Sequence, residues 1–171
     1  LERGMKTMLF TAKLDNREGG GVISSRIGIQ KEALSFANED NLFDMVREAD
    51  SDSKLNCILV DEAQFLSKEQ VRQLIRLVDE EGIPVLTYGI RSDFKGEVFE
   101  GSKFLLAWSD EMKEIKTICH CGKKATMNAR VSTDGDMETA GAQIEIGGNE
   151  RYISLCRGCF NRGEMGSFTP V

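Results

Sequence analysis

The chain reads LNCILVDEAQF over residues 55–65, and this stretch decides the fold. Its first part, residues 55–60, is almost entirely apolar, which is typical of a strand buried on both faces in a parallel sheet. Two adjacent carboxylates, Asp61 and Glu62, follow directly. Ligands of open α/β sheets bind at the carboxyl ends of the strands. The stretch therefore predicts a buried strand that delivers an acidic pair to a ligand site.

The segments around this strand alternate between strand and helix patterns. Residues 6–12 and 85–88 are short apolar runs with the length of strands. Residues 41–49 space their apolar side chains as a helix does, and the polar, glycine-containing residues 13–28 predict a long loop. Strands that alternate with helices in this way predict an α/β fold with a parallel sheet and right-handed crossovers.

A second helix is predicted by its start signal. Ser67 and Gln70 have the spacing of a capping box, in which each side chain accepts a hydrogen bond from the other's backbone N–H. We expect this helix to run to about Glu81, because Gly82 is a typical helix-ending residue. Its apolar stripe comprises Val71, Leu74, Ile75 and Val78.

Composition and charge disfavour several classes of protein. The chain has 171 residues, 40% of them hydrophobic, which suits one medium domain with at most a small appendage. The net charge of −6 disfavours a nucleic-acid partner, and no apolar run reaches the roughly 18 residues of a membrane span. Five cysteines, mostly in close pairs, argue against a secreted disulfide framework. We therefore expect a cytoplasmic protein.

Four of the cysteines form two close pairs that suit a metal ion. Cys119 and Cys121 have C-x-C spacing, and Cys156 and Cys159 have C-x2-C spacing. Two loops that each supply two thiolates match tetrahedral Zn²⁺, and four protein ligands make the ion structural. The first pair is tighter than usual, and buried cysteines without a metal remain an alternative. His120, between two cysteines, is interpreted as a spectator rather than a ligand.

The chain changes character at residue 116, where glycines and cysteines become frequent and helix patterns fade. We expect residues 1–115 to form a nucleotide-binding α/β domain and residues 116–171 a small zinc-binding subdomain. Within the second part, residues 143–146 alternate polar and apolar side chains and predict a strand.

The acidic pair suits phosphoryl transfer. Asp61 can hold Mg²⁺ or a water bound to it, as a Walker B aspartate does, and Glu62 can accept a proton from an attacking hydroxyl. A solvated acidic loop is the alternative. A Walker B strand calls for a G-x-x-x-x-G-K-[ST] loop, and the sequence contains none. Since residues 1–4 have the pattern of a helix end, we expect that loop upstream, and a fragment that starts at Leu1 to be nearly inactive.

Taken together, these stretches resemble the thymidine kinases of the zinc-bearing type II family, the bacterial branch above all. The resemblance rests on VDEAQF at residues 60–65, YGIRSDF at 88–94, IGGNERY at 146–152 and the two cysteine pairs, and it covers nearly the whole chain. It implies a sheet of the P-loop/RecA-like type and a C-terminal zinc-binding subdomain that carries a lasso loop. It also implies ATP-dependent phosphorylation of thymidine to thymidine 5′-monophosphate, a salvage step that supplies DNA synthesis.

The resemblance further implies roles for individual residues. Glu62 matches the catalytic base, Asp61 the aspartate associated with Mg²⁺, and the segment Asp61, Glu62, Ala63 and Gln64 the nucleotide-contacting residues. Arg17 falls in a loop near the phosphates. The positions that match thymidine contacts are Phe65, Phe94 and Phe99 around the base, Ile144, Glu145, Ile146 and Gly147 in the lasso, and Tyr152 near the sugar. Ordinary core packing remains an alternative for each phenylalanine. Family cofactors and partners are ATP, Mg²⁺, structural Zn²⁺, thymidine triphosphate as feedback inhibitor, and identical subunits in a homotetramer.

Two other interpretations stay open on the sequence alone. The Asp61–Gln64 stretch also resembles the DEAx box of a P-loop ATPase such as a helicase, although the short length and negative charge disfavour such a motor. A non-catalytic zinc-ribbon interaction module on an α/β scaffold is the second. It predicts no phosphoryl transfer and no effect of Glu62→Gln beyond stability.

Overall fold

The structure, a computed structural model, describes residues 4–13, 22–24, 30–50, 55–144 and 151–167. Its contacts divide the chain into two units, which are described separately. The first unit contains Leu1–Ile90 and Glu100–Trp108, and the second contains Arg91–Phe99 and Ser109–Val171. The domain boundary between residues 115 and 116 remains a prediction.

A parallel sheet organises the first unit. Its four strands lie in the order β4-β1-β5-β6, and every neighbouring pair is parallel. This confirms the predicted α/β fold. The strands of the unit, in chain order, are β1 (Lys6–Ala12), β2 (Val22–Ser24), β3 (Gln30–Glu32), β4 (Leu34–Phe36), β5 (Leu55–Val60) and β6 (Val85–Thr87).

The loop predicted over residues 13–28 is wrong in part, because β2 lies inside it and pairs with β3 as an antiparallel ribbon. The two short strands exchange backbone hydrogen bonds, which satisfies polar groups that a loop would leave to water. Residues 14–21 and 25–29, among them Arg17, lie outside the described part of the chain.

Two helices of the first unit begin at side-chain caps, of which the sequence analysis predicted the one at Ser67. Helix α1 (Leu42–Ala49) starts after Asn41, whose side chain accepts hydrogen bonds from two backbone N–H groups. Helix α2 (Lys68–Asp79) starts after Ser67 with both halves of the capping box formed. Helix α3 (Glu100–Trp108) completes the unit.

The buried stripe of α2 agrees with the prediction in part. Val71 and Leu74 are buried as expected, whereas Ile75 and Val78 are only half-buried and Leu77, which was not predicted, is buried. Leu77 belongs to the same core as Phe10 and the apolar residues of β5. Because a helix repeats every 3.6 residues, positions three and four apart share a face, and both Leu77 and Val78 are within reach of the core side set by Val71 and Leu74.

The second unit is built from short antiparallel pairs. Its strands are β7 (Thr117–Ile118), β8 (Lys124–Ala125), β9 (Met127–Arg130) and β10 (Tyr152–Leu155), and its helix is α4 (Arg157–Arg162). β7 pairs with β8, and β9 with β10. The strand predicted at residues 143–146 is wrong for Gln143 and Ile144, which lie in no strand, because neither pairs with a neighbouring strand in the described part of the chain. Residues 145 and 146 lie outside the described part.

A search for membrane spans among the described residues finds no helix that combines the necessary length with the necessary apolar character.

Candidate active site and metal centre

The acidic pair sits at the carboxyl edge of the parallel sheet. Past the end of β5, the backbone N–H of Asp61 donates to the carbonyl of Phe10 on β1, with an N···O distance of 2.8 Å. On the other side, the N–H of Ala63 donates to the carbonyl of Tyr88 at 2.8 Å. The turn between Asp61 and Ala63 is therefore anchored on both neighbours of β5, at the edge where such sheets bind ligands.

Glu62 has an unusual backbone conformation. Its φ of 53° and ψ of 38° lie in the left-handed region, and it is the single non-glycine residue with positive φ in the part of the chain that the structure describes. A carboxylate oxygen of Asp61 accepts a hydrogen bond from the Glu62 N–H at 3.0 Å and supports the turn. Such strained residues cluster at functional sites, because the surrounding structure must hold them.

A buried glutamine fixes the Glu62 carboxylate. Gln64 is 3% exposed, and its Nε2 donates to Oε2 of Glu62 at 2.5 Å. Its Oε1 accepts a hydrogen bond from the backbone N–H of Ile90 at 3.3 Å. Both polar atoms of the Gln64 amide therefore form hydrogen bonds, and they link the carboxylate of Glu62 to the segment after β6.

Two glycines that the sequence analysis did not single out make room for this turn. A Cβ on Gly89 would lie 2.6 Å from Oε1 of Gln64, and a Cβ on Gly101 would lie 2.5 Å from the carbonyl oxygen of Ala63. Real Cβ atoms do not approach so closely. A glycine directly after a strand, such as Gly89, is a usable signal for close backbone approach, whereas Gly101 in the first turn of α3 carries no such signal.

The three predicted aromatic contacts fall in different surroundings. Phe65 ends the short 3₁₀ turn Ala63–Phe65, is half-buried and packs against the core of the first unit. Phe94 and Phe99 belong to the second unit and are only 1% and 5% exposed. The ring of Phe94 stacks under the guanidinium of Arg130, with 3.8 Å between Cζ and the ring centroid. Arg130 was not predicted, because nothing in its local sequence marks it.

The predicted lasso residues are described only at their ends. Ile144 is exposed, and Tyr152 begins β10 directly opposite Arg130. Glu145, Ile146 and Gly147 lie outside the described part of the chain.

The four predicted metal ligands come together. The Sγ atoms of Cys119, Cys121, Cys156 and Cys159 all lie within 4.8 Å of one another, and those of Cys121 and Cys156 are 3.7 Å apart. Tetrahedral Zn²⁺ with Zn–S bonds of about 2.3 Å requires sulfur–sulfur separations of about 3.8 Å. The thiolate set therefore fits a zinc ion, and the tight C-x-C spacing is no obstacle.

Local structure explains how the pairs meet. The turn between β7 and β8 presents Cys119 and Cys121, and it closes through a hydrogen bond from the Gly122 N–H to the Cys119 carbonyl at 2.8 Å. Cys156 caps α4, where its Sγ accepts from the backbone N–H of Cys159 at 3.4 Å. His120 instead directs its Nε2 to the carbonyl of Glu164 at 3.0 Å, and it is not among the clustered metal ligands of the described residues.

The thiols of this cluster differ in acidity. The hydrogen bond from the Cys159 backbone N–H is the largest influence on Cys156 and holds the pKa of its thiol below the ordinary value. Burial, first of all, raises the pKa of Cys159. Thiolates at such sites form most readily where N–H groups point at the sulfur. In addition, Arg162 directs Nη2 at the Cys159 sulfur, 3.8 Å away, and a cation there offsets the negative charge of a thiolate set.

Comparison with known proteins points to one family. The family model described as thymidine kinase matches residues 1–160. A thymidine kinase of Legionella pneumophila is 52% identical over 99% of this chain and 81% of its own length. One from Shewanella oneidensis is 54% identical over 91% of this chain and 81% of its own, and one from Xanthomonas axonopodis is 55% identical over 99% and 83%.

Proposed function

Since this chain belongs to the thymidine kinase family, we propose that it transfers the γ-phosphoryl group of ATP to the 5′-hydroxyl of thymidine. Relatives that share about half of its residues carry the name thymidine kinase, which favours a kinase over the DEAx-box ATPase and the non-catalytic zinc module. The observation that carries the residue-level proposal is the held carboxylate of Glu62 at the carboxyl edge of the sheet.

Glu62 is the proposed general base. It would accept the proton of the thymidine 5′-hydroxyl as that oxygen attacks phosphorus. A general base must hold its carboxylate in one orientation, and the bond from Gln64 at 2.5 Å supports this. The strained backbone of Glu62 supports it too, because strain is retained where the position of a side chain matters more than local stability.

The neighbouring residues are proposed to serve the nucleotide. Asp61 would hold Mg²⁺ directly or through water and so neutralise charge on the phosphates. The segment Asp61, Glu62, Ala63 and Gln64 would contact ATP. Support comes from its place after β5, where the backbone of the turn is anchored to both neighbouring strands.

The thymidine contacts are also proposals. Phe65, Phe94 and Phe99 would surround the base, Tyr152 would lie near the sugar, and the lasso over Ile144, Glu145, Ile146 and Gly147 would bind the base through its backbone. The burial of Phe94 and Phe99 supports a fixed rather than a mobile aromatic wall. Zinc would staple the second unit, which has only short strands and a small apolar core.

Assembly and location extend the proposal. We expect a homotetramer, as the resemblance to the family implies. Three strongly exposed apolar side chains of the second unit, Met112, Ile115 and Ile118, support association with another subunit. Feedback inhibition by thymidine triphosphate and a cytoplasmic location are part of the same proposal. The cysteines, all without a disulfide, support a reducing compartment.

The decisive experiment replaces Glu62 in the full-length protein. Glu62→Gln keeps the shape and the contact with Gln64 but removes the base, and we expect kcat to fall about a hundredfold or more. The matched control is Glu69→Gln, an exposed carboxylate in the first turn of α2, which should leave kcat unchanged. Near-normal phosphorylation of thymidine by a folded Glu62→Gln protein would refute the base assignment. ATP hydrolysis stimulated by nucleic acid rather than thymidine would favour the ATPase alternative.

A further inference from the structure

We propose that Arg130 is a positioning residue for the nucleoside, since its guanidinium lies against Phe94, Tyr152 and the residues that lead into the lasso loop, and fixes them relative to one another. The inference rests on the proposed function, because Phe94, Tyr152 and the lasso are the proposed thymidine contacts. All the groups involved belong to the second unit.

Arg130 is placed by β9 and buried against an aromatic ring. It is the last residue of β9 and is 4% exposed. Its Cζ lies 3.8 Å above the centroid of Phe94, a cation–π contact that gains strength from the exclusion of water. One face of Phe94 is therefore covered by a planar cation, and the ring cannot turn without losing this contact.

The N–H groups at the edge of the Arg130 guanidinium form hydrogen bonds. Nε donates to the carboxylate of Glu138, and Nη1 donates to the carbonyl of Ala142 at 3.2 Å. Tyr152 is the direct partner of Arg130 across the β9–β10 ladder, and side chains that lie directly opposite in an antiparallel pair are close neighbours on the same face. Burial acts to lower the pKa of Arg130, but its interactions with Tyr152 and Glu138 outweigh it and hold the pKa above its ordinary value.

The chain that leads into the lasso passes against this guanidinium. A Cβ on Gly141 would lie 2.5 Å from Nη2 of Arg130, and Gly141 has a φ of +135°, where side chains are rare. Two more bonds tie the same stretch to the segment that carries Phe94. Nζ of Lys95 donates to the Gly141 carbonyl at 3.3 Å, and Nε2 of Gln143 donates to Asp93 at 3.1 Å.

A lysine would not replace this arginine. Only a flat guanidinium with several N–H donors in one plane can stack on Phe94 while bonding Glu138 and Ala142 at its edge. An ammonium is a compact charge on a flexible stem, so Arg130→Lys would keep the charge near Glu138 and lose the geometry. This makes lysine a test of positioning rather than of charge.

The surroundings allow such a variant to fold. Glu138 also pairs with Arg151, whose Nε donates to the carbonyl of Val131 at 2.8 Å. When Arg130 is changed, Glu138 therefore keeps a cationic partner instead of becoming an uncompensated buried charge. The Arg151 pair should preserve the unit while the link to Phe94 and Ala142 is lost.

The experiment compares Arg130→Lys and Arg130→Met with the wild type, all as full-length protein. Thymidine binding is measured by calorimetry, and kcat with the KM of thymidine and of ATP by steady-state kinetics. We expect the thymidine Kd and KM to rise about tenfold or more in both variants, a tenfold change being about 1.4 kcal/mol. The KM of ATP should change less than about twofold, because Arg130 affects the nucleoside contacts alone.

The matched control is Arg76→Lys. Arg76 makes the same two kinds of contact, a carboxylate pair with Glu80 and a stack 4.1 Å over Phe43, but on the surface of α2. The Arg76→Lys variant should leave kcat, the thymidine Kd and the KM of thymidine and of ATP unchanged. An unchanged thymidine Kd in a folded Arg130→Lys protein would overturn the inference and leave the proposed function standing. Loss of zinc or of cooperative unfolding in both Arg130 variants would also overturn it, in favour of a purely structural role. A wild-type enzyme that neither binds nor phosphorylates thymidine would overturn both proposals.

Discussion

Gln64 connects the acidic turn to the segment after β6, and its role can be separated from that of Glu62. The side-chain amide of Gln64 donates a hydrogen bond to the carboxylate of Glu62 and accepts one from the backbone N–H of Ile90. It therefore holds the carboxylate at a fixed position relative to the segment after β6. The side chain of Gln64 is buried and has little surface for direct contact with a nucleotide. This favours orientation of the base as its main contribution.

We predict that Gln64→Leu lowers kcat by about tenfold to a hundredfold, because a hydrogen bond to a charged group contributes about 1.5–3 kcal/mol and each step of about 1.4 kcal/mol is a factor of ten. The KM of thymidine should change much less, since no nucleoside contact is removed. Gln73→Leu serves as control, because Gln73 accepts a backbone hydrogen bond from Leu42 far from the acidic turn. A kcat equal to that of the wild type in Gln64→Leu would argue against a role of Gln64 in orienting the Glu62 carboxylate.

At this scale, the sequence predicts residues whose chemistry is local. The cysteine pairs are predicted as metal ligands from their residue type and spacing. Asp61 and Glu62 are predicted as site residues because they follow an apolar run. Arg130 is different, because its function depends on Phe94 and Glu138, and an arginine at the end of a short strand is common on protein surfaces. Only the fold shows that this one is buried on an aromatic ring.

Among the elements, α3 has the closest contact with the acidic turn. Gly101 lies in its first turn, where a Cβ would approach the carbonyl oxygens of Ala63 at 2.5 Å and Leu66 at 2.8 Å. These are backbone atoms and cannot swing away as a side chain would. The helix and the 3₁₀ turn therefore touch through bare backbone.

We predict that Gly101→Ala destabilises the protein by about 1–3 kcal/mol, as forced overpacking does, although alanine is the better helix former. It should also lower kcat, because the turn that carries Glu62 must shift. Denaturant unfolding and steady-state kinetics measure the two effects. Gly82→Ala is the control, since its φ of +67° makes alanine strained but no atom lies within 4 Å. It should alter stability without altering kcat.

Periodicity and capping predict the longer elements well. β1, β5 and α1 follow from apolar spacing, and α2 follows from its spacing together with the capping box of Ser67 and Gln70. Helix α3 was not predicted. The β2–β3 ribbon is missed because three-residue strands are too short to show a period. The stretch at Gln143 and Ile144 has a strand pattern but no strand partner among the described residues, and a local pattern cannot show whether a partner is present.

For the molecule as a whole, the thiolate cluster predicts metal dependence. We expect about one zinc per chain in purified protein, and we expect a chelator to lower the unfolding temperature, because binding energy at such sites is folding energy. Mass-spectrometric metal analysis and thermal unfolding with and without chelator test this. A folded, active and zinc-free protein would contradict the prediction.

The same cluster predicts a pH dependence of metal affinity. Zinc binds thiolates, and the raised pKa of Cys159 means that its proton must leave when the ion enters. Lowering the pH from 8 to about 6 opposes that release, so the zinc Kd should rise. Competition with a colorimetric chelator across this range measures the effect. A Kd independent of pH would contradict the prediction, because it would mean that zinc displaces no thiol protons in this range.

The division of the chain into units has a consequence for its synthesis. The first unit needs α3, yet α3 leaves the ribosome after Arg91–Phe99, which belongs to the second unit. Phe94 therefore emerges well before Arg130, the cation that covers its ring. No single cleavage of the chain separates the units intact. A nascent chain halted after Trp108 would contain Phe94 but not yet Arg130, so the ring of Phe94 would lack the guanidinium that covers it. Translation past β9 is thus the earliest point at which that ring can be covered as in the finished protein.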